Sequence, residues 1–204
     1  MSASKGVHPT KQTLIDTVVK IMDSQNPSAI SSDEVLELSG ISKGSLYHHF
    51  EDFSELIEHA LVARFANFVD QSIHMLSKVA IHSKNKTDFI NGIKEVTRAT
   101  QAPARANFRS ERVTSISTAM LNPRMKVQLG QEQERLTEAL ADLYRESVER
   151  GWGDPQFNPR AVGVLVQAYT LGQIVDDFTP NHMNPDDWYA LIDSLANNLF
   201  FSKG

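Results

Sequence analysis

Within nine residues, Ser42-Lys43-Gly44-Ser45-Leu46-Tyr47-His48-His49-Phe50, the chain gathers six hydrogen-bonding side chains around one glycine and two apolar anchors spaced one helical turn apart. Wound as a helix, Leu46 and Phe50 turn inward against Val35, Leu38 and Ile41, and the remaining positions turn out. That outer set suits base edges and the phosphate backbone. Lys43 can donate to guanine O6 and N7, Ser45 and Tyr47 can bond phosphate oxygens, and Gly44 lets backbone approach a thymine methyl. His48 and His49 can donate to phosphate whether neutral or protonated. Taken alone, Ser-Lys-Gly-Ser is an ordinary solvated helix start, so the elements around it must decide.

Those elements are two short helices in tight succession. Ser31 opens the first, with Glu34 three residues on in the spacing of a capping box, and Val35, Leu36 and Leu38 lead to Ser39-Gly40. Gly40 suits a left-handed helix end, and Ser42 caps the next helix after only Ile41. Residues 31–50 therefore read as a helix-turn-helix, whose second helix enters the major groove with its positive end toward the duplex. An earlier helix follows Pro9 with Leu14, Ile15, Val18, Ile21 and Met22 on one side. A fourth opens at Asp52, with Glu55 three residues later, carries Leu56, Ala60, Ala63, Ala66 and Phe68, and extends to about residue 82. Further helices are predicted near 87–101, 104–121, 124–151, 159–178 and 185–201. The fold class is all-α: an N-terminal three-helix DNA-binding module, 1–52, and a larger helical core of five to six helices, 53–204.

The run from Ile41 to Phe50, preceded by Ser31, Val35, Leu36, Ser39 and Gly40, resembles the signature of the tetracycline-repressor (TetR) family of transcriptional regulators. The motif covers about a quarter of the chain; its position and the helical remainder fit the family layout. The resemblance implies a homodimeric repressor on a pseudo-palindromic double-stranded operator, released by a small-molecule effector bound in the core. Carried over by position, Ser32, Lys43, Gly44, Ser45, Tyr47, His48 and His49 contact DNA, and Ser42 caps the reading helix. It further implies that the last two helices build a four-helix dimer interface.

Charge runs against a generic DNA binder. The chain carries a net −5, and residues 1–53 hold four lysines, no arginine and seven acids, a balance of −3. Asp33 stands where the family often has a basic residue, and Phe53 where a lysine commonly opens the fourth helix. Each loses a phosphate contact, which predicts weak non-specific binding with a shallow salt dependence. An N-terminal arm with Lys5, His8 and Lys11 can recover some of them. A helical ligand-binding or scaffolding protein with weakened DNA affinity is the alternative reading.

Apolar faces in the core have three destinations: the monomer interior, a partner subunit or a ligand cavity. Leu129, Leu136, Leu140, Leu143 and Val148 form a packing stripe, and Gly163, Ala168 and Gly172 permit close helix approach. Ligand cavities mix large apolar side chains with sparse polar ones, which singles out Phe108, Arg112, Ile116 and Met120, with Tyr144, Tyr169 and Gln173 as further candidates. A surface helix and hydrogen-bonded core tyrosines account for the same residues equally well.

Other functions lack support. There is no cysteine, hence no disulfide, thiolate metal site or cysteine nucleophile. No His-Glu-x-x-His, phosphate loop or Gly-x-Ser-x-Gly occurs, so no catalytic residue, metal or cofactor is expected. Asp176, Asp177 and His182 read as solvated helix ends, as do His74 and His82. No run approaches the about 18 apolar residues of a membrane span, and no secretory signal opens the chain, so a cytoplasmic protein is expected.

Overall fold

In the computed structural model, which describes residues 8–201, helices α1 (Pro9–Ile21), α2 (Ser32–Ser39) and α3 (Lys43–His49) form a head on the start of the long α4 (Phe53–His82). The rest of α4 packs with α5 (Lys86–Gln101), α6 (Ala106–Leu121), α7 (Pro123–Glu149), α8 (Pro159–Gly172), the single turn α9 (Ile174–Asp177) and α10 (Pro185–Leu195). The architecture is all-α; the single β-type pairing among the described residues is an isolated bridge between Gly153 and Phe201. None of the described helices is long and apolar enough to cross a membrane.

The head has its own core. Leu14, Val18, Val35, Leu46 and Phe50 are almost wholly buried, and Leu56 and Ala60 of α4 complete the cluster. Each large side chain buried there contributes about 1.5–3 kcal/mol relative to exposure. The expected anchor at Leu38 is corrected: it is 64% exposed. The inward stripe of α2 runs through Ser32, Val35, Leu36 and Ser39, and Leu38 falls beside it. Leu36 packs against the cluster in its place.

Local chemistry sets the boundaries. Ser31 Oγ accepts from the Glu34 amide at 3.2 Å, but the Glu34 carboxylate accepts from Gln25 Nε2 at 2.7 Å, a tie to the loop after α1. Gly40 adopts φ 67°, where a side chain is strained, so the turn between α2 and α3 depends on it. Ser42 caps α3 and Asp52 caps α4. The helix expected over 159–178 divides at Gln173 into α8 and α9, and Asp177 ends α9 against α6 rather than continuing a straight rod. At Gly163 an added Cβ would lie 3.0 Å from the Thr137 carbonyl, so α8 crosses α7 there at backbone distance. Gly172 meets nothing in its own chain and, with Ala168, faces outward.

Candidate nucleic-acid interface and core cavity

On α3, Lys43, Gly44, Tyr47 and His48 are exposed along one side, opposite the buried Leu46 and Phe50. Ser45 and His49 are half-buried at its edges, and Ser32, also half-buried, sits in the first turn of α2. Ser42 Oγ accepts from the Ser45 amide at 3.3 Å, and its hydroxyl donates to Ser45 Oγ at 3.1 Å. The helix start is thus fixed before any ligand arrives. Gly44 has no Cβ neighbour within 4 Å and no left-handed φ. Nothing in the chain's own packing requires a glycine there, although glycine costs a helix about 1 kcal/mol relative to alanine.

A band of histidines borders this surface. The rings of His8 and His49 lie 4.7 Å apart, and those of His48 and His49 5.1 Å apart. Desolvation, then the neighbouring His8, His48 and Lys11, lower the His49 pKa from its ordinary value. Lys11 folds back, its Nζ 3.4 Å from His59 Nε2 and 4.8 Å from the Phe50 ring centroid. Burial and Lys11 lower the His59 pKa as well. Lys5, the other cation of the expected arm, lies outside the described residues. Asp33 is exposed on α2, and Phe53 packs against the head cluster.

In the larger unit, side chains of α4, α5, α6, α7 and α8 line a partly open cavity of about 70 Å³. Phe108 and Arg112 line it with Phe68, Met75, Leu140 and Val166. A second cavity of about 90 Å³ shares Leu76, Val96, Thr100, Leu140, Val166 and Thr170 with the first, and Tyr144 and Tyr169 line it. Of the other expected pocket residues, Ile116 packs in the main core cluster, Met120 is 64% exposed and Gln173 is buried beside neither cavity. Tyr144 donates its hydroxyl to the Asp154 carbonyl at 2.8 Å, tying α7 to the following loop. Burial raises the Tyr169 pKa to about 12.

Three arginines line the first cavity in different states. Arg109, 3% exposed, forms a two-pronged pair with Asp177 at 2.6 and 2.5 Å. Arg105 donates Nε to the Ala99 carbonyl and lies over the Phe108 ring. Arg112 rests on Phe68, 4.2 Å from its centroid, and its buried Nε has no hydrogen-bond partner. Residues that sequence patterning did not single out complete the walls, including Gln167 on α8. Nearby Gln101 is buried, donates to Thr170 and accepts from the Trp188 indole, joining α5, α8 and α10. A lone polar residue at the end of an apolar helix face is the signal that could have found it.

The acids near His182 serve structure. Asp177 pairs with Arg109, while the Asp176 carboxylate accepts from the Met183 amide. No group of three metal-ligating side chains comes together among the described residues.

No protein-family model and no curated protein matches the sequence. Solved structures do. A putative TetR-family transcriptional regulator from Mesorhizobium loti aligns over 95% of this chain and 97% of its own, with a TM-score of 0.71 at 13% identity. GusR of Salmonella enterica aligns over 96% and 98%, with a TM-score of 0.65 at 15% identity. A putative transcriptional regulator from Saccharomonospora viridis, solved in complex with choline, aligns over 95% and 98%, with a TM-score of 0.67 at 11% identity. At such identities the likeness establishes a shared fold.

Proposed function

We propose that this chain, which has the fold of TetR-type regulators, is a DNA-binding transcriptional regulator acting as a homodimer on a pseudo-palindromic operator. The observation that carries the reading is α3 itself: Lys43, Gly44, Tyr47 and His48 form an exposed stripe on a helix whose opposite side is locked by Leu46 and Phe50. Lys43 and the backbone at Gly44 address bases. Ser32, Ser45, Tyr47, His48 and His49 address phosphates, and Ser42 holds the helix start. Two such heads about one helical turn apart engage successive major grooves. The remaining helices hold an effector, whose binding shifts the dimer between head separations only by its difference in affinity for the two. Repression relieved by that effector is the mode this arrangement favours, in the cytoplasm.

The acidic balance of residues 1–53 favours a second reading, a ligand-binding or scaffolding protein with weak DNA affinity. A gel shift on the DNA flanking the protein's own gene separates the two. The regulator reading expects a saturable complex that Tyr47→Ala abolishes without loss of helicity, because Tyr47 is exposed. Absence of a complex supports the second reading; equal binding by the variant counts against α3 as the reading helix.

A further inference from the structure

Arg112 is 6% exposed, its Nε has no hydrogen-bond partner, and no carboxylate among the described residues lies within ion-pair distance of its guanidinium. The neighbouring acid Glu111 points elsewhere, into a two-pronged pair with Arg64 on α4. Asp177, the acid that approaches α6 from α9, is taken by Arg109. Burial lowers the Arg112 pKa to about 10, which leaves it cationic at neutral pH. The Phe65 and Phe68 rings offset part of its desolvation but supply no anion. A buried cation with neither counter-charge nor full hydrogen bonding is costly to a fold. An incoming anion would complete it.

We propose that the core cavity binds an organic monocarboxylate with an apolar body, its carboxylate held by the Nε and Nη fork of Arg112. A planar guanidinium matches a carboxylate with two parallel hydrogen bonds. The charge count selects a monoanion: Arg109 is already neutralised by Asp177, and Arg105 is only half-buried, so a single desolvated positive charge awaits compensation. A cationic ligand meets repulsion at that point. The apolar body follows from Phe68, Met75, Leu76, Leu140 and Val166. The adjoining 90 Å³ space beyond Leu76, Val96 and Val166 receives a longer chain once those side chains rotate. This inference rests on the regulator reading only in making the cavity the effector's.

The test is calorimetric titration and thermal shift of the full chain with straight-chain acids from butyrate to dodecanoate, each beside its matched alcohol, on wild type, Arg112→Met and Arg112→Lys. The expected result is that at least one acid binds about tenfold or more tighter than its alcohol. Arg112→Met abolishes that preference while melting no lower than wild type, and Arg112→Lys, which keeps the charge but loses the fork, retains part of it. The proposal is overturned if no acid in the series binds, if acids and alcohols bind alike, or if Arg112→Met keeps the preference. A gel shift run alongside separates the two readings: carboxylate binding without operator binding removes the regulator and keeps the site, and the reverse removes the site alone.

Discussion

Gly44 gives the proposed reading helix α3 its sharpest single-residue test. Its backbone is ordinary helix and a Cβ there would touch nothing, so Gly44→Ala should stabilise the free protein, by up to about 1 kcal/mol. If backbone approaches a base at that point, the same methyl weakens operator binding. The expected outcome is therefore opposite signs, a higher Tm and a poorer gel shift; a variant that improves in both would remove Gly44 from the interface. His59 supplies a pH test. Its pKa is lowered by burial first and by Lys11 second. Near pH 7.5 both folded and unfolded chains hold it largely neutral, so it is silent. As pH falls through about 6.5 the unfolded chain takes up a proton that the folded chain still refuses, and stability declines. Between about pH 7 and 5.5, wild type should lose more Tm than His59→Gln; parallel losses would show that His59 contributes nothing.

At the scale of elements, head and core are tied by long-range ion pairs that no local pattern reveals, Arg124 of α7 to Glu51 and, with more partners, Arg64. Arg64 of α4 donates to Asp23 Oδ1 at 2.9 Å, beyond the end of α1, and to both Glu111 oxygens on α6 at 3.0 Å. These groups are partly exposed, so Arg64→Met should cost about 1 kcal/mol locally. Native-state hydrogen exchange should then quicken several-fold in α1 while α7 keeps its protection; uniform change along the chain would show that no such strap exists. Sequence and structure part company along the same line. The caps at Ser31, Ser42 and Asp52 and the turn at Gly40 were legible because they depend on residues within four positions. So was the buried face of α1, because helical period alone assigns it. Leu38 departs from the expected pattern because an eight-residue helix shows barely two turns of it. The cavity was only half legible: Phe108 and Arg112 stand out as a mixed segment on one helix. The other walls come from α4, α5, α7 and α8, whose apolar residues are indistinguishable from plain core until the bundle is assembled.

For the whole molecule, the decisive feature is an apolar surface on the last helices that the single chain leaves uncovered. Phe178 is 78% exposed, Val175 67%, Leu191 60% and Val164 51%. Ala168 and Gly172, also exposed, lie among them in sequence, so a facing helix can approach closely. Isolated apolar side chains such as Ile81 need no explanation, but a concentration of this kind on α8, α9 and α10 marks an interaction surface. In the homodimer proposed above, a two-fold partner would cover it with the same residues from the other copy, a four-helix arrangement. Charge placed there tests this directly, because a carboxylate facing its own symmetry mate cannot be solvated or paired. Phe178→Glu and Leu191→Glu should each give a folded monomer by light scattering. Operator affinity should fall by about a hundredfold, since the second head is then no longer delivered by the first. Ile81→Glu, on an exposed position outside those helices, should leave both unchanged. A dimer that survives both interface substitutions would place the two-fold axis elsewhere, and the spacing of the two reading heads would have to be derived from that other face.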